Sequence, residues 1–144
     1  MTANADTQSV SMEFDLPHPP AKVWRALTEP ALVAKWLMPT TLEPVVGKSF
    51  TFQTQPMPGW DGLVNCEVKE VELHKQLRYS WRGGGVDTVV TWSLTPTANG
   101  GTLLRLEQSG FRPAEGQARF FEGAKMGWQY MAGKRLPEVL GEIA

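Results

Sequence analysis

Few side chains in this 144-residue chain have the types and spacing for covalent or acid–base chemistry. His18 lies among prolines and His74 in a short connection. Neither has a second histidine or a cysteine at ligand spacing, so no metal site is expected. Cys66 is the lone cysteine and has no neighbouring base, which suits a small core residue better than a nucleophile. Paired carboxylates for proton transfer would have to come from Glu67, Glu70, Glu72 or Glu107. Their strand phase puts them toward solvent or at a bulge, and Glu67-Lys69 and Arg105-Glu107 read as surface pairs. The glycine run Gly83-Gly84-Gly85 is not followed by a helix, so it is a turn and not a phosphate cradle. What remains are the Tyr79 hydroxyl, the Gln108 amide and the indole nitrogens of Trp81 and Trp92. These groups hydrogen-bond without changing charge near neutral pH, a chemistry of recognition and not of proton transfer. No catalytic residue and no cofactor is expected.

Composition narrows the class further. Hydrophobic content of 42% and charged content of 20% are those of an ordinary globule, and the length fits one domain. A net charge of -1 without a basic stripe removes the electrostatic footprint of a nucleic-acid binder. No apolar run approaches the roughly 20 residues that span a bilayer, and the polar residues 1–9 read as a flexible tail and not a secretory signal. A cytoplasmic protein, monomer or homodimer, is the expectation. Residues 10–144 form the one domain.

The elements that must position these groups follow from periodicity. Val10, Met12, Phe14 and Leu16 alternate with polar residues, which predicts a half-buried strand. Pro20 and Pro30 then open two short helices, the second carrying Trp36. Between residues 48 and 110 the alternation returns in five stretches. A Pro/Gly-rich flap lies over residues 55–62, a bulge is expected near Lys69-Glu70, and Asn99-Gly100-Gly101 marks a hairpin. From residue 117 to 143, Phe120, Phe121, Ala124, Trp128, Met131, Ala132, Leu136, Leu140 and Ile143 recur at helical spacing. That helix contains Gly123, Gly127 and Gly133, each costing about 0.8–1.0 kcal/mol against alanine. Pro137 removes the bond to Gly133, so a bend or break is expected between them. The pair Gly123 and Gly127 predicts close approach of helix to sheet. Together the order predicts an α+β fold, with an antiparallel sheet and helices on one side.

Several of these stretches resemble one family. Pro20-Ala21-Lys22-Val23-Trp24-Arg25-Ala26-Leu27-Thr28-Glu29-Pro30, closing on Trp36, resembles the N-terminal signature of the heat-shock-protein-90 ATPase activator homologue (C-terminal-domain-like) family. That family sits within the START-related SRPBCC, or polyketide cyclase, superfamily. Leu77-Arg78-Tyr79-Ser80-Trp81, the run from Gly101 to Gly110 and Gly127-Trp128 resemble its later motifs in the same order. The resemblance implies a helix-grip (START-like, Bet v-like) fold: about six curved antiparallel strands around a long C-terminal helix, with two short helices after the first strand. It also implies an internal cavity opening near the flap and the short helices, and an association with stress response. Gln108 departs from the family, where many relatives carry a histidine facing the cavity, so a role for an ionisable imidazole there does not carry over.

Strand phase and helix stripe together nominate a cavity lining of Trp36, Phe50, Phe52, Cys66, Tyr79, Trp81, Trp92, Leu106, Gln108, Phe111, Trp128 and Met131. The same residues would also serve as packed core. The leading expectation is binding of a small hydrophobic ligand, lipid-like or aromatic and polyketide-like, as a carrier or sensor without catalysis. The alternatives are a chaperone-associated module with a protein partner and a cyclase- or dehydratase-like enzyme. The enzyme would need Glu67, Glu107 or Asp61 inside the cavity.

Overall fold

Apolar alternation carries directly into the sheet. The computed structural model describes residues 8–56, 58–112 and 116–143. Strand β1 (Gln8–Leu16) begins two residues inside the segment expected as tail, whose residues 1–7 lie outside the described ones. Helices α1 (Pro20–Thr28) and α2 (Pro30–Trp36) follow, each with its proline in the first turn, where the missing N–H costs no helical bond. Then come β2 (Ser49–Gln53), β3 (Leu63–Glu72), β4 (Gln76–Gly83), β5 (Val86–Pro96) and β6 (Thr102–Phe111). The chain ends in α3 (Ala118–Tyr130), a π-helical turn over Met131–Arg135, and α4 (Leu136–Glu142). Among the described residues no helix is long and apolar enough to cross a membrane.

All six strands join one antiparallel sheet in the order β1-β6-β5-β4-β3-β2. The register slips between Val68 and Glu70, where the parity of the apolar residues changes in the sequence. The hairpin at Gly100 closes with Thr97 N–H donating to the Gly101 carbonyl at 3.0 Å. Phe50, Phe52, Val64, Cys66, Tyr79, Val90, Trp92, Leu104, Leu106 and Gln108 are all buried, as their phase requires. Of the two expected surface pairs, Lys69 reaches Glu67 at 3.5 Å within β3. Arg105 stands opposite Glu13 and Ser93 in the sheet, and no ion pair joins it to Glu107.

The final helix is held unevenly. In α3 only Trp128 is buried, whereas Ala132, Leu136, Val139 and Leu140 are buried in the segments that follow. α4 lies against α1 and α2, and the Arg135 guanidinium donates to the Lys35 carbonyl at 2.7 Å. The irregularity expected before Pro137 is present as a widened turn, with Leu136 N–H donating to the Met131 carbonyl five residues back. The helix is not broken there; the wider turn takes up backbone where Pro137 has no N–H to offer. Close approach to the sheet comes from Gly133 instead of the expected pair. A Cβ there would stand 3.3 Å from the Phe14 ring, while one at Gly123 meets nothing within 4 Å.

Candidate functional site, a cleft under the first half of the last helix

Because α3 is anchored mainly through its far end, a space is left between its first half and the sheet. The cleft has a volume of about 850 Å³. Its floor is made by Trp81 and Gln108 from the sheet, and its wall by Ala124, Gly127, Trp128 and Met131 from the helix region. Phe111 closes one end. The mouth is built from residues 58–60 of the flap, the turn Gly83-Gly84-Gly85, Arg119 and Phe120.

The triple glycine turn is what allows this mouth to form. Gly84 and Gly85 adopt φ of 62° and 96°, a region that L side chains rarely occupy. Trp60 lies against Gly84, where a Cβ would stand 3.6 Å from its ring, and Phe120 against Gly85 at 3.2 Å. The Trp60 indole donates to the Leu63 carbonyl at 3.1 Å, which fixes the flap to the start of β3. Gln117 ties the other side together: its amide donates to the Gly85 carbonyl at 3.0 Å and accepts from Arg112 N–H at 2.8 Å.

Aromatic rings back the cleft. Trp128 stands edge-on to Trp81 and Trp92, with centroids 5.5 Å and 5.4 Å away. Trp92 in turn meets Trp36 at 5.8 Å, and Trp81 meets Phe52 at 5.1 Å. Through this network runs a directed chain of hydrogen bonds. The Trp128 indole donates to Gln108 Oε1 at 2.7 Å, Gln108 Nε2 donates to Thr88 Oγ1 at 2.9 Å, and that hydroxyl donates to the Trp81 carbonyl at 3.0 Å. An indole is only a donor, so the amide oxygen must face it, which fixes the direction of every later bond. A second bond joins the Trp92 indole to the Tyr79 hydroxyl at 3.0 Å.

Among the lining residues expected from sequence, Trp81, Gln108, Phe111, Trp128 and Met131 border the cleft. Trp36, Phe50, Phe52, Cys66, Tyr79, Trp92 and Leu106 are packed in the core beneath it. Their strand phase is the same; what separates the groups is how high the helix rides over each. Burial pushes the Tyr79 phenol well above its ordinary range, against a smaller opposing pull from the Trp92 donor. Burial likewise pushes the Cys66 thiol up to about 12. Both groups are therefore neutral at neutral pH and belong to the core beneath the cleft. Trp60, Phe120 and the glycine turn were not among the expected lining. Trp60 carried one signal: a tryptophan inside a Pro/Gly-rich flap must find apolar cover somewhere.

No acidic group reaches the cleft among the described residues: Asp61 is exposed, and neither Glu67 nor Glu107 borders it. Nor do three His, Cys, Asp or Glu side chains gather as a metal site among them. The arrangement can enclose an apolar body and offer it hydrogen-bond donors.

Residues 17–141 match the family described as Activator of Hsp90 ATPase homolog 1-like protein. The fold is similar to the crystal structure of a Mesorhizobium loti protein, 41% identical with a TM-score of 0.86 over 95% of this chain and 99% of that one. It is similar to DynU16, a protein in the dynemicin biosynthetic locus, at 30% identity and a TM-score of 0.75. That match covers 92% of this chain but 47% of DynU16. A Bacillus halodurans protein is 25% identical with a TM-score of 0.77, covering 92% of this chain and 96% of its own. None of the curated proteins compared matches the chain.

Proposed function

The chain belongs to the Activator of Hsp90 ATPase homolog 1-like family of the START-related superfamily, and on that premise we propose that it binds a small hydrophobic ligand in the cleft under α3, as a carrier or sensor that does no chemistry on it. Proteins of this fold commonly bind hydrophobic ligands. The observation that carries the proposal is the cleft of about 850 Å³ walled by Trp60, Trp81, Phe111, Phe120 and Trp128. It lies in the size range of small-molecule pockets, and it is open although the sheet residues Tyr79, Trp92 and Leu106 nearby are buried. Gln108, Trp128 and Thr88 are hydrogen-bonded to one another across the floor, and none of the three is an acid or base near neutral pH. A cyclase-like enzyme would need an ionisable group where the structure places rings and an amide.

The test uses a neutral apolar dye, N-phenyl-1-naphthylamine, read by its own emission and by energy transfer from tryptophan. Wild-type protein binds it saturably. Gly127→Phe abolishes binding while the fold persists, because a Cβ there meets only the Met131 methyl at 3.5 Å and the ring then fills the cleft. Equal binding by both proteins would refute the site.

The protein-partner alternative has one observation of its own. Met126 and Tyr130, one turn apart on α3, are 72% and 53% exposed. A chaperone-associated module would use that face, so Met126→Glu would abolish capture of its partner and leave dye binding untouched. A carrier predicts no loss of function from that change.

A further inference from the structure

The polar chemistry of the cleft is one-sided. Of the residues that border it among those described, Arg119 alone is charged. It stands exposed in the first turn of α3 and forms no ion pair or hydrogen bond with a described residue. A helix N-terminus is an unfavourable place for a cation, because the orphan N–H groups there already carry partial positive charge. No acidic side chain in that turn offsets it. Deeper in, Trp81 is half-buried at the floor, and its indole N–H has no partner among the described residues. The Gln108 side chain, by contrast, is buried, and its oxygen already accepts from Trp128. Arg119 is thus the one charged hydrogen-bond donor that the described lining offers a ligand.

We propose that the ligand is an amphiphilic organic carboxylate, its apolar body against Trp81 and Trp128 and its head at the mouth on Arg119. This rests on the cleft being a ligand site. A guanidinium presents a planar fork that matches a carboxylate with two parallel bonds. A phosphate ester, with more charge and more acceptors, calls for a cluster of cations that one arginine does not supply. Aromatic walls can also attract a cation, but Arg119 repels it and no carboxylate borders the cleft to hold it.

The experiment compares 1-pyrenebutyrate with its methyl ester, binding each to wild type and to Arg119→Gln by pyrene fluorescence. The readout is the change between the two proteins in the ratio of ester to acid dissociation constants, since that comparison cancels the greater hydrophobicity of the ester. That ratio falls about fivefold in Arg119→Gln, the upper range for a solvent-exposed ion pair. The ester binds both proteins alike, and Arg119→Lys recovers part of the ratio. Salt at about 0.5 M lowers the wild-type ratio toward that of the glutamine variant. An unchanged ratio in Arg119→Gln overturns the carboxylate proposal and leaves the cleft as a neutral site. Binding of neither probe to wild type overturns the ligand site itself.

Discussion

Replacing Gln108 with leucine interrupts the hydrogen-bonded chain at its centre. The substitution removes the bonds to Trp128 and Thr88, each with a net worth of about 0.5–1.5 kcal/mol. It also strands the Trp128 indole N–H in a buried position, which costs about 1–3 kcal/mol. Thr88 is spared, because its own donation to the Trp81 carbonyl survives. Added apolar burial returns about 1 kcal/mol. The expected net loss is about 2–3 kcal/mol, against a total of about 5–15 kcal/mol for a domain of this kind. With a urea slope of about 2 kcal/mol/M, the midpoint falls by about 1–1.5 M at unchanged slope. The double variant Gln108→Leu/Trp128→Phe has no stranded donor, so its loss is smaller than the sum of the single losses by at least about 1 kcal/mol. A midpoint shift below about 0.3 M, or strictly additive losses, would refute a chain that holds the cleft floor.

Further outcomes follow from the helix and the buried titratable groups. Gly123→Ala raises stability by about 0.5–1 kcal/mol, since the new methyl meets nothing within 4 Å. Gly133→Ala, with similar propensity to gain, recovers less than half of that because its methyl presses on Phe14 at 3.3 Å; equal urea midpoints for the two would contradict the placement. Cys66 and Tyr79 both have folded pKa values raised by burial, so their contribution is fully present below the unfolded values and lost as pH rises through the folded ones. For Cys66 that window runs from 9.0 to about 12, so stability falls across it and Cys66→Ala flattens the fall; an identical alkaline limb in the variant would count against a buried neutral thiol.

The parts of the fold set by short-range pattern could be read in advance. Two-residue alternation placed Tyr79, Trp81, Trp92 and Gln108 on one face, and the parity change near Glu70 located the bulge. Pro20 and Pro30 marked the helix starts because, within a helix, a proline fits without cost only in the first turn. The depth of the cleft was not legible, because phase gives the direction of a side chain and not the height of the helix above it. That height depends on Leu136, Val139 and Leu140 docking on α1 and α2, a contact between distant parts of the chain. The roles of the glycines were likewise hidden. Gly123 and Gly127 leave space under the helix where close packing was expected, and Gly133 alone meets the sheet. Trp60 and Phe120 reach the mouth from a flap and a helix start, where no periodicity assigns a direction.

The six tryptophans report on different parts of the molecule, so one spectrum addresses the ligand site directly. In a ¹⁵N-resolved spectrum of the indole N–H groups, titration with N-phenyl-1-naphthylamine should move the Trp60, Trp81 and Trp128 signals, which border the cleft. Trp24, which packs against His74, and Trp36, whose indole is bound to the Ala26 carbonyl, should stay in place. Shifts confined to Trp24 and Trp36, or none at saturating dye, would contradict a ligand site beneath α3.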